Sequence, residues 1–147
     1  MRMCFALAKK GFGKVAPNPM VGCVVLDKDG NLISKGYHKK YGENHAERDA
    51  LLKLKNNEAE GGTLYVNLEP CSHFGKTPPC VDLIIKYKLK RVVIGIKDVN
   101  PKVDGITKLK KSSVYGLFST SEIIPTRQVE MQSKLFCIDR LIPFGLI

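Results

Sequence analysis

Short apolar runs alternate along this chain with segments that have helical spacing, and this alternation limits the folds open to it. The runs at residues 21–26, 63–68 and 91–96 are rich in β-branched side chains, which is typical of buried strands. Residues 31–36 follow the first run after a turn that ends in Gly30, so these two segments predict a β-hairpin.

Helices are predicted between these strands and at the start of the chain. Their positions are residues 1–11, residues 45–55 with Asn44 as the N-cap, a segment that starts near Pro78, and residues 106–111, before a weak strand at 114–118. Strands that alternate with helices after a leading hairpin are typical of an α/β fold. We therefore expect a three-layer α/β/α sandwich with a mixed central sheet.

The composition is that of a single globular domain of 147 residues. No apolar run approaches the roughly 20 residues needed to span a bilayer. The apolar stretch at residues 4–8 is closed by Lys9 and Lys10 and does not resemble a signal peptide. Five cysteines without regular spacing indicate a reducing compartment, so we expect a cytoplasmic protein with no membrane partner.

The chain is basic, with 24 lysines and arginines against 14 acidic residues and a formal net charge of +10. Such a charge can indicate a nucleic-acid binder. Here the lysines are scattered, and aromatic residues are not interleaved with them. We expect a solvated basic surface that attracts a small anionic substrate, with no nucleic-acid partner.

Four residues have the types and spacing of a catalytic zinc site: His45, Glu47, Cys71 and Cys80. Zinc prefers imidazole and thiolate ligands, and a catalytic site uses three of them and leaves a fourth position for water. A glutamate two residues after the histidine can face that position and act as acid and base while zinc activates the water.

The cysteines differ in their surroundings. Cys71 and Cys80 each follow a proline in a polar, turn-rich segment, whereas the other three lie in apolar runs, as buried structural cysteines do: Cys4, Cys23 and Cys137. A purely structural zinc would need a fourth ligand, which His73 or His38 could supply. From the residues alone, that alternative stays open.

The segment His45-Ala46-Glu47 with Pro70-Cys71 resembles the cytidine-deaminase-like superfamily. The long interval between Cys71 and Cys80 resembles one branch of it, the pyrimidine deaminase of bacterial riboflavin biosynthesis. Four further segments match that branch: Pro17-Asn18-Pro19-Met20-Val21-Gly22, Gly36-Tyr37-His38, Leu64-Tyr65-Val66-Asn67-Leu68-Glu69-Pro70 and Asp98-Val99-Asn100-Pro101.

The resemblance implies one zinc ion per chain, held by His45, Cys71 and Cys80, with Glu47 as the catalytic residue. It implies hydrolysis of 2,5-diamino-6-(5-phosphoribosylamino)pyrimidin-4-one to 5-amino-6-(5-phosphoribosylamino)uracil and ammonia. The residues that it implies for substrate binding are Asn18, His38, His73, Lys76, Asp98 and Asn100.

The match departs from the family pattern at two places. Val99 replaces a proline between Asp98 and Asn100, and Ile106 follows Gly105 directly where the family has further glycines. We expect residues 1–115 to form the deaminase domain and residues 116–147 to resemble a connector to a reductase domain that this sequence does not contain. The apolar segment 135–147 favours a homo-oligomer or association with a separate reductase protein.

Two other functions compete with this prediction. The basic charge would suit a deaminase that acts on adenosine or cytidine in transfer RNA, although the long interval between Cys71 and Cys80 and the loop of Lys76 argue against it. A zinc-stabilised binding module without catalysis is the other, and Glu47 argues against that. A non-functional remnant of a deaminase is a further alternative.

Overall fold

The computed structural model describes residues 1–55 and 57–118, with side chains up to residue 115. The predicted connector, including Cys137 and the apolar segment 135–147, lies outside the described residues except for the backbone of 116–118. In chain order the elements are α1 (Arg2–Ala8) with a 3₁₀ turn (Lys9–Gly11), β1 (Gly22–Leu26), β2 (Leu32–Tyr37), α2 (Ala46–Leu51), β3 (Thr63–Leu68), α3 (Cys80–Lys86), β4 (Arg91–Ile96), α4 (Gly105–Lys111) and β5 (Tyr115–Phe118).

The described strands form one mixed sheet in the order β2-β1-β3-β4-β5. Strand β1 pairs antiparallel with both β2 and β3, while β3, β4 and β5 are parallel to one another. The predicted hairpin and the mixed sheet are therefore confirmed.

Helices cover both faces of this sheet. Side chains alternate along β1, so Cys23 and Val25 join the large core under α2, α3 and α4, whereas Val24 packs with Cys4 and Leu7 of α1. The α/β/α sandwich predicted from the sequence is confirmed.

The topology brings several loops to one edge of the sheet. The carboxyl ends of the parallel strands β3 and β4 lie at this edge, followed by Cys71 and by Asp98. Because β1 runs the opposite way, its first residue Gly22 lies beside Tyr37, the last residue of β2. Asn18, which precedes β1, and His38, which follows β2, are thus delivered to the same edge.

Helix α2 differs from the prediction at both ends. His45, not Asn44, occupies the N-cap position, with extended backbone, and its carbonyl accepts the N–H of Asp49. The helix ends at Leu51 rather than near residue 55, because the chain turns and packs Leu54 against the core. No helix within residues 1–55 and 57–118 combines the length and the apolar character needed to cross a membrane.

Candidate active site

His45, Cys71 and Cys80 converge from three elements. His45 precedes α2, Cys71 follows β3, and Cys80 is the first residue of α3. The Nδ1 atom of His45 lies 3.5 Å from the Sγ of Cys71 and 3.6 Å from the Sγ of Cys80, and all three ligand atoms lie within 4.8 Å of one another. Tetrahedral zinc with ordinary bond lengths separates its nitrogen and sulfur ligands by about 3.6 Å, so this group fits the ion.

The pKa values of the two cysteine thiols differ strongly, in a way that suits cation binding. A hydrogen bond from the Cys80 thiol, together with those from His45 and the Cys80 backbone N–H, lowers the pKa of Cys71 to about 4. The neighbouring Cys71 thiolate and burial raise the pKa of Cys80 well above its usual range. Without a metal, the two cysteines thus share one proton, as a thiolate and a thiol. A bound divalent cation would favour the thiolate form of both.

Glu47 lies on the first turn of α2, only 3% exposed, and lines a cleft together with His45 and Cys71. Burial, with a smaller contribution from the Cys71 thiolate, raises the pKa of Glu47 to about 7. A cation at the neighbouring ligands would favour the carboxylate form. Glu47 is thus a carboxyl group placed to exchange a proton inside the cleft.

The cleft contains about 630 Å³ of empty space including its open mouth. It brings together five of the six residues predicted to bind substrate: Asn18, His38, His73, Asp98 and Asn100.

His38 is almost fully buried in the wall of the cleft, where it contacts Asn18. It is only 2% exposed, and its Nε2 lies 3.1 Å from the Nδ2 of Asn18. Its Nδ1 lies 3.0 Å from the carbonyl oxygen of Asn44, and its ring meets that of His45 edge to face. Burial lowers the pKa of His38.

Lys76 lies in a second, adjoining cleft that shares Asn18, His45, Cys71 and His73 with the first. Its ammonium group sits 4.1 Å from the centre of the Tyr41 ring, a cation–π contact. His73 borders both clefts, and its Nδ1 atom is buried without a hydrogen-bond partner among the described residues.

Asp98 and Asn100 line the cleft and also shape their own loop. The Asp98 carboxylate accepts the backbone N–H of Asn100, and the Asn100 side-chain oxygen accepts the N–H of Lys102. Such side-chain turns compensate for the proline that Val99 replaces. Each side chain keeps polar atoms for the cleft.

Sequence reasoning assigned no role to Glu69 and Asn67, which support the site. The buried Glu69 carboxylate accepts the N–H of Asp98 with one oxygen and the N–H of Ile106 with the other. The fully buried Asn67 side chain accepts the N–H of Gly22 and donates to the carbonyl of Met20. A polar side chain in an apolar strand was the signal that could have revealed Asn67.

Comparison with known proteins identifies the family. Residues 1–96 match the family model for the cytidine and deoxycytidylate deaminase zinc-binding region, about two thirds of the chain. The chain belongs to this deaminase family. Zinc is the metal of the matched region, which includes His45, Cys71 and Cys80.

Relatives of this deaminase chain carry names from riboflavin biosynthesis. It is 52% identical over 105 residues to the riboflavin biosynthesis protein RibD of Actinobacillus pleuropneumoniae, covering 71% of this chain and 27% of that protein. It is 47% identical over 116 residues to the diaminohydroxyphosphoribosylamino-pyrimidine deaminase of Buchnera aphidicola subsp. Schizaphis graminum, covering 78% of each.

Solved structures agree with the fold of this deaminase. A diaminohydroxyphosphoribosylaminopyrimidine deaminase/5-amino-6-(5-phosphoribosylamino)uracil reductase from Thermotoga maritima is 42% identical, with a TM-score of 0.78. The superposition covers 92% of this chain and 37% of the Thermotoga chain. The chain thus spans about a third of the length of the Actinobacillus and Thermotoga proteins.

Proposed function

We propose that this chain is a zinc-dependent hydrolytic deaminase that converts 2,5-diamino-6-(5-phosphoribosylamino)pyrimidin-4-one to 5-amino-6-(5-phosphoribosylamino)uracil and ammonia. The observation that carries the proposal is the buried Glu47 beside the group of His45, Cys71 and Cys80, at a cleft that His45, Glu47 and Cys71 line. The names of the relatives at 47% and 42% identity support the choice of substrate.

The ligand count favours catalysis over a structural zinc. Within the described residues, the histidine and cysteines close enough to share an ion are three, and neither His38 nor His73 belongs to the group. Zinc held by three protein ligands has a position open to water, whose pKa it lowers when bound. The alternative of a four-ligand structural module has no support in this geometry.

Glu47 performs the proton transfers in the proposed reaction. It accepts the first proton of the attacking water and delivers it to the pyrimidine ring nitrogen. It then accepts the second water proton, from the hydroxyl added to the ring carbon, and delivers it to the amine, which departs as ammonia. Because Glu47 is buried, bulk water has little access to the carboxyl group during these transfers. The carboxyl group therefore ends the cycle as it began.

The two adjoining clefts suggest how the substrate lies. Asn18, Asp98 and Asn100 border the cleft of Glu47 and offer hydrogen bonds to the pyrimidine and the ribose. Lys76 in the adjoining cleft offers a positive charge to the phosphate, while Tyr41 holds the lysine in place. The product would pass to a reductase. Association of this chain with such a protein, or with a second copy of itself, stays a prediction that a measurement of molecular mass in solution can test.

The test is ammonia release from the proposed substrate by the zinc-loaded chain and its Glu47→Gln variant. We expect the variant to keep its zinc and to lose about 10²–10⁴-fold in kcat, the usual contribution of a general acid and base. Glu60→Gln is the matched control, because Glu60 pairs with Lys88 on the surface. Wild-type protein that holds zinc but releases no ammonia would contradict the proposed function.

A further inference from the structure

Both ring nitrogens of His38 are already used by the protein. Nδ1 lies 3.0 Å from the carbonyl oxygen of Asn44, and Nε2 lies 3.1 Å from the side-chain amide nitrogen of Asn18. The residue is 2% exposed. His38 therefore has no polar atom left for a ligand, although it lies in the wall of the cleft.

The chemistry of these contacts determines where the ring proton sits. A carbonyl oxygen can only accept, so Nδ1 of His38 carries a hydrogen and donates it to Asn44. The ring forms no ion pair with a carboxylate in the described part of the chain. Nε2 of the neutral ring then accepts, and the group that donates to it is the NH₂ of Asn18.

This bond determines which atom Asn18 shows to the cleft. With its NH₂ group directed to His38, the side-chain oxygen Oδ1 points away from the ring. Among the described residues Oδ1 has no hydrogen-bond donor, and the partly exposed Asn18 borders both clefts. The residue thus presents a hydrogen-bond acceptor rather than a donor.

The backbone around Asn18 is held by its neighbours, whereas the side-chain carboxamide can still rotate. Pro17 and Pro19 flank it, its own N–H donates to the carbonyl of Val15, and Asn67 holds the carbonyl of Met20. A half-turn of the carboxamide would exchange acceptor for donor. The bond to His38 opposes that half-turn.

We propose that His38 is a positioning residue that fixes the carboxamide of Asn18, so that Asn18 accepts a hydrogen bond from an N–H group of an aminopyrimidine ligand. His38 acts through Asn18 and makes no contact with the ligand, in place of the direct contact predicted from the sequence. The identity of the ligand rests on the proposed function, whereas the state of the His38 ring does not.

The first test is ¹⁵N NMR of the zinc-loaded full chain without substrate. We expect His38 to be protonated at Nδ1 and unprotonated at Nε2, with an Asn18 amide proton bonded to Nε2. The chain has three histidines, so comparison with the His38→Gln spectrum assigns the signal. A ring protonated at Nε2 would overturn the proposal, even in a protein that deaminates the substrate.

The second test measures ligand selectivity with analogues of the substrate that each lack one N–H donor. In the wild type, we expect one analogue to bind at least about 10-fold more weakly than the substrate, the cost of an unpaired acceptor. In His38→Leu the Asn18 carboxamide can turn over, so the ratio of the Kd of that analogue to the Kd of the substrate should fall below about 3. His38→Gln can accept a hydrogen bond at the same position and should restore the ratio.

An unchanged ratio in His38→Leu would overturn the inference, because a merely structural histidine would weaken all these ligands alike. Binding is measured by calorimetry, and the thermal midpoint of each variant shows that it is folded. Failure of the wild type to release ammonia would contradict the proposed function instead, and the NMR result would still decide the state of His38.

Discussion

Asn67 shows how one buried amide supports a site that it does not touch. Its side-chain oxygen lies 2.7 Å from the N–H of Gly22, and its NH₂ lies 3.1 Å from the carbonyl of Met20. These two partners lie at the start of β1, just after the segment that carries Asn18. A strand residue thus holds the loop that lines the cleft.

We expect Asn67→Leu to destabilise the fold and to weaken substrate binding. The leucine has a similar size but leaves the buried N–H of Gly22 without a partner, at a cost of about 1–3 kcal/mol. Urea unfolding measures the loss, and a raised KM at nearly constant kcat reports displacement of Asn18. A variant within about 0.5 kcal/mol of the wild type would contradict this role.

At the scale of single residues, the sequence could predict the candidate zinc ligands and the acid–base residue better than the residues that support them. His45, Glu47, Cys71 and Cys80 are recognisable because few residue types bind or serve zinc and their spacing is characteristic. Glu69 and Asn67 act through backbone groups 29 to 47 positions away, so their partners become visible only in the fold. The two contacts of His38, to Asn18 and to the carbonyl of Asn44, likewise become visible only in the fold.

Gly36 allows α2 to lie directly on β2. A Cβ atom added there would come within 2.4 Å of the carbonyl oxygen of Ala46 and 2.5 Å of the backbone nitrogen of Ala50. Both contacts are backbone atoms of the helix that also carries Glu47 and follows His45. The close approach therefore sets how closely α2, with Glu47 and the preceding His45, lies against β2.

We expect Gly36→Ala to cost about 1–3 kcal/mol by overpacking and to lower zinc affinity, because α2 must move away from β2. The matched control is Gly75→Ala, since a Cβ there meets nothing within 4 Å. Chemical denaturation of the two variants, each with and without zinc, makes the comparison. Equal stability of the two variants would show that the helix can shift freely.

Asp49 joins the same two elements by charge. Its carboxylate pairs with Lys39 and Lys53 and accepts the backbone N–H of Tyr37, next to His38. Burial alone would raise the pKa of Asp49, but the hydrogen bonds from Lys53, Lys39 and Tyr37 outweigh it and lower the pKa below its usual value.

We expect the stabilisation by Asp49 to depend on pH. Because the folded pKa lies below the unfolded value of about 3.9, the stabilisation is complete above that value and is lost as the pH falls through the folded pKa. Asp49→Asn should therefore cost about 1 kcal/mol at neutral pH and less in acid. Asp29→Asn, at an exposed turn, is the control, and equal pH profiles for the two variants would contradict the prediction.

The order and type of the elements could be predicted, whereas some of their ends could not. The strands β3 and β4 coincide with their predicted bounds because their largely apolar runs are flanked by Gly62 and Glu69 and by Lys90 and Lys97. Helix α2 is shorter than its pattern because the tertiary position of Leu54 outweighs helix propensity over residues 52–55. His45, not Asn44, takes the N-cap position, without a side-chain cap hydrogen bond.

At the scale of the whole molecule, the positive charge is partly engaged in local contacts. Lys39 and Lys53 share Asp49, Lys88 pairs with Glu60, and Lys108 donates to the carbonyl of Ser72. Among the described residues, Lys76 is the lysine that borders the cleft lined by His45, Cys71 and His73. This distribution supports a general attraction for anions, and the phosphate contact of Lys76 stays a prediction.

The zinc ligands come from three separate parts of the fold, so zinc should stabilise the whole domain. A ligand that binds only the folded state at 100 times its Kd adds about 2.7 kcal/mol, which corresponds to a rise in Tm on the order of 10 °C. Calorimetry with and without a chelator measures this rise. Cys71→Ser should remove most of it, since a hydroxyl is a poor zinc ligand. Cys4→Ser should keep it, because Cys4 is a buried residue of α1 whose thiol donates to the carbonyl of Tyr65 and is not among the zinc ligands. If zinc stabilised the Cys71 variant as much as the wild type, the metal would be held elsewhere.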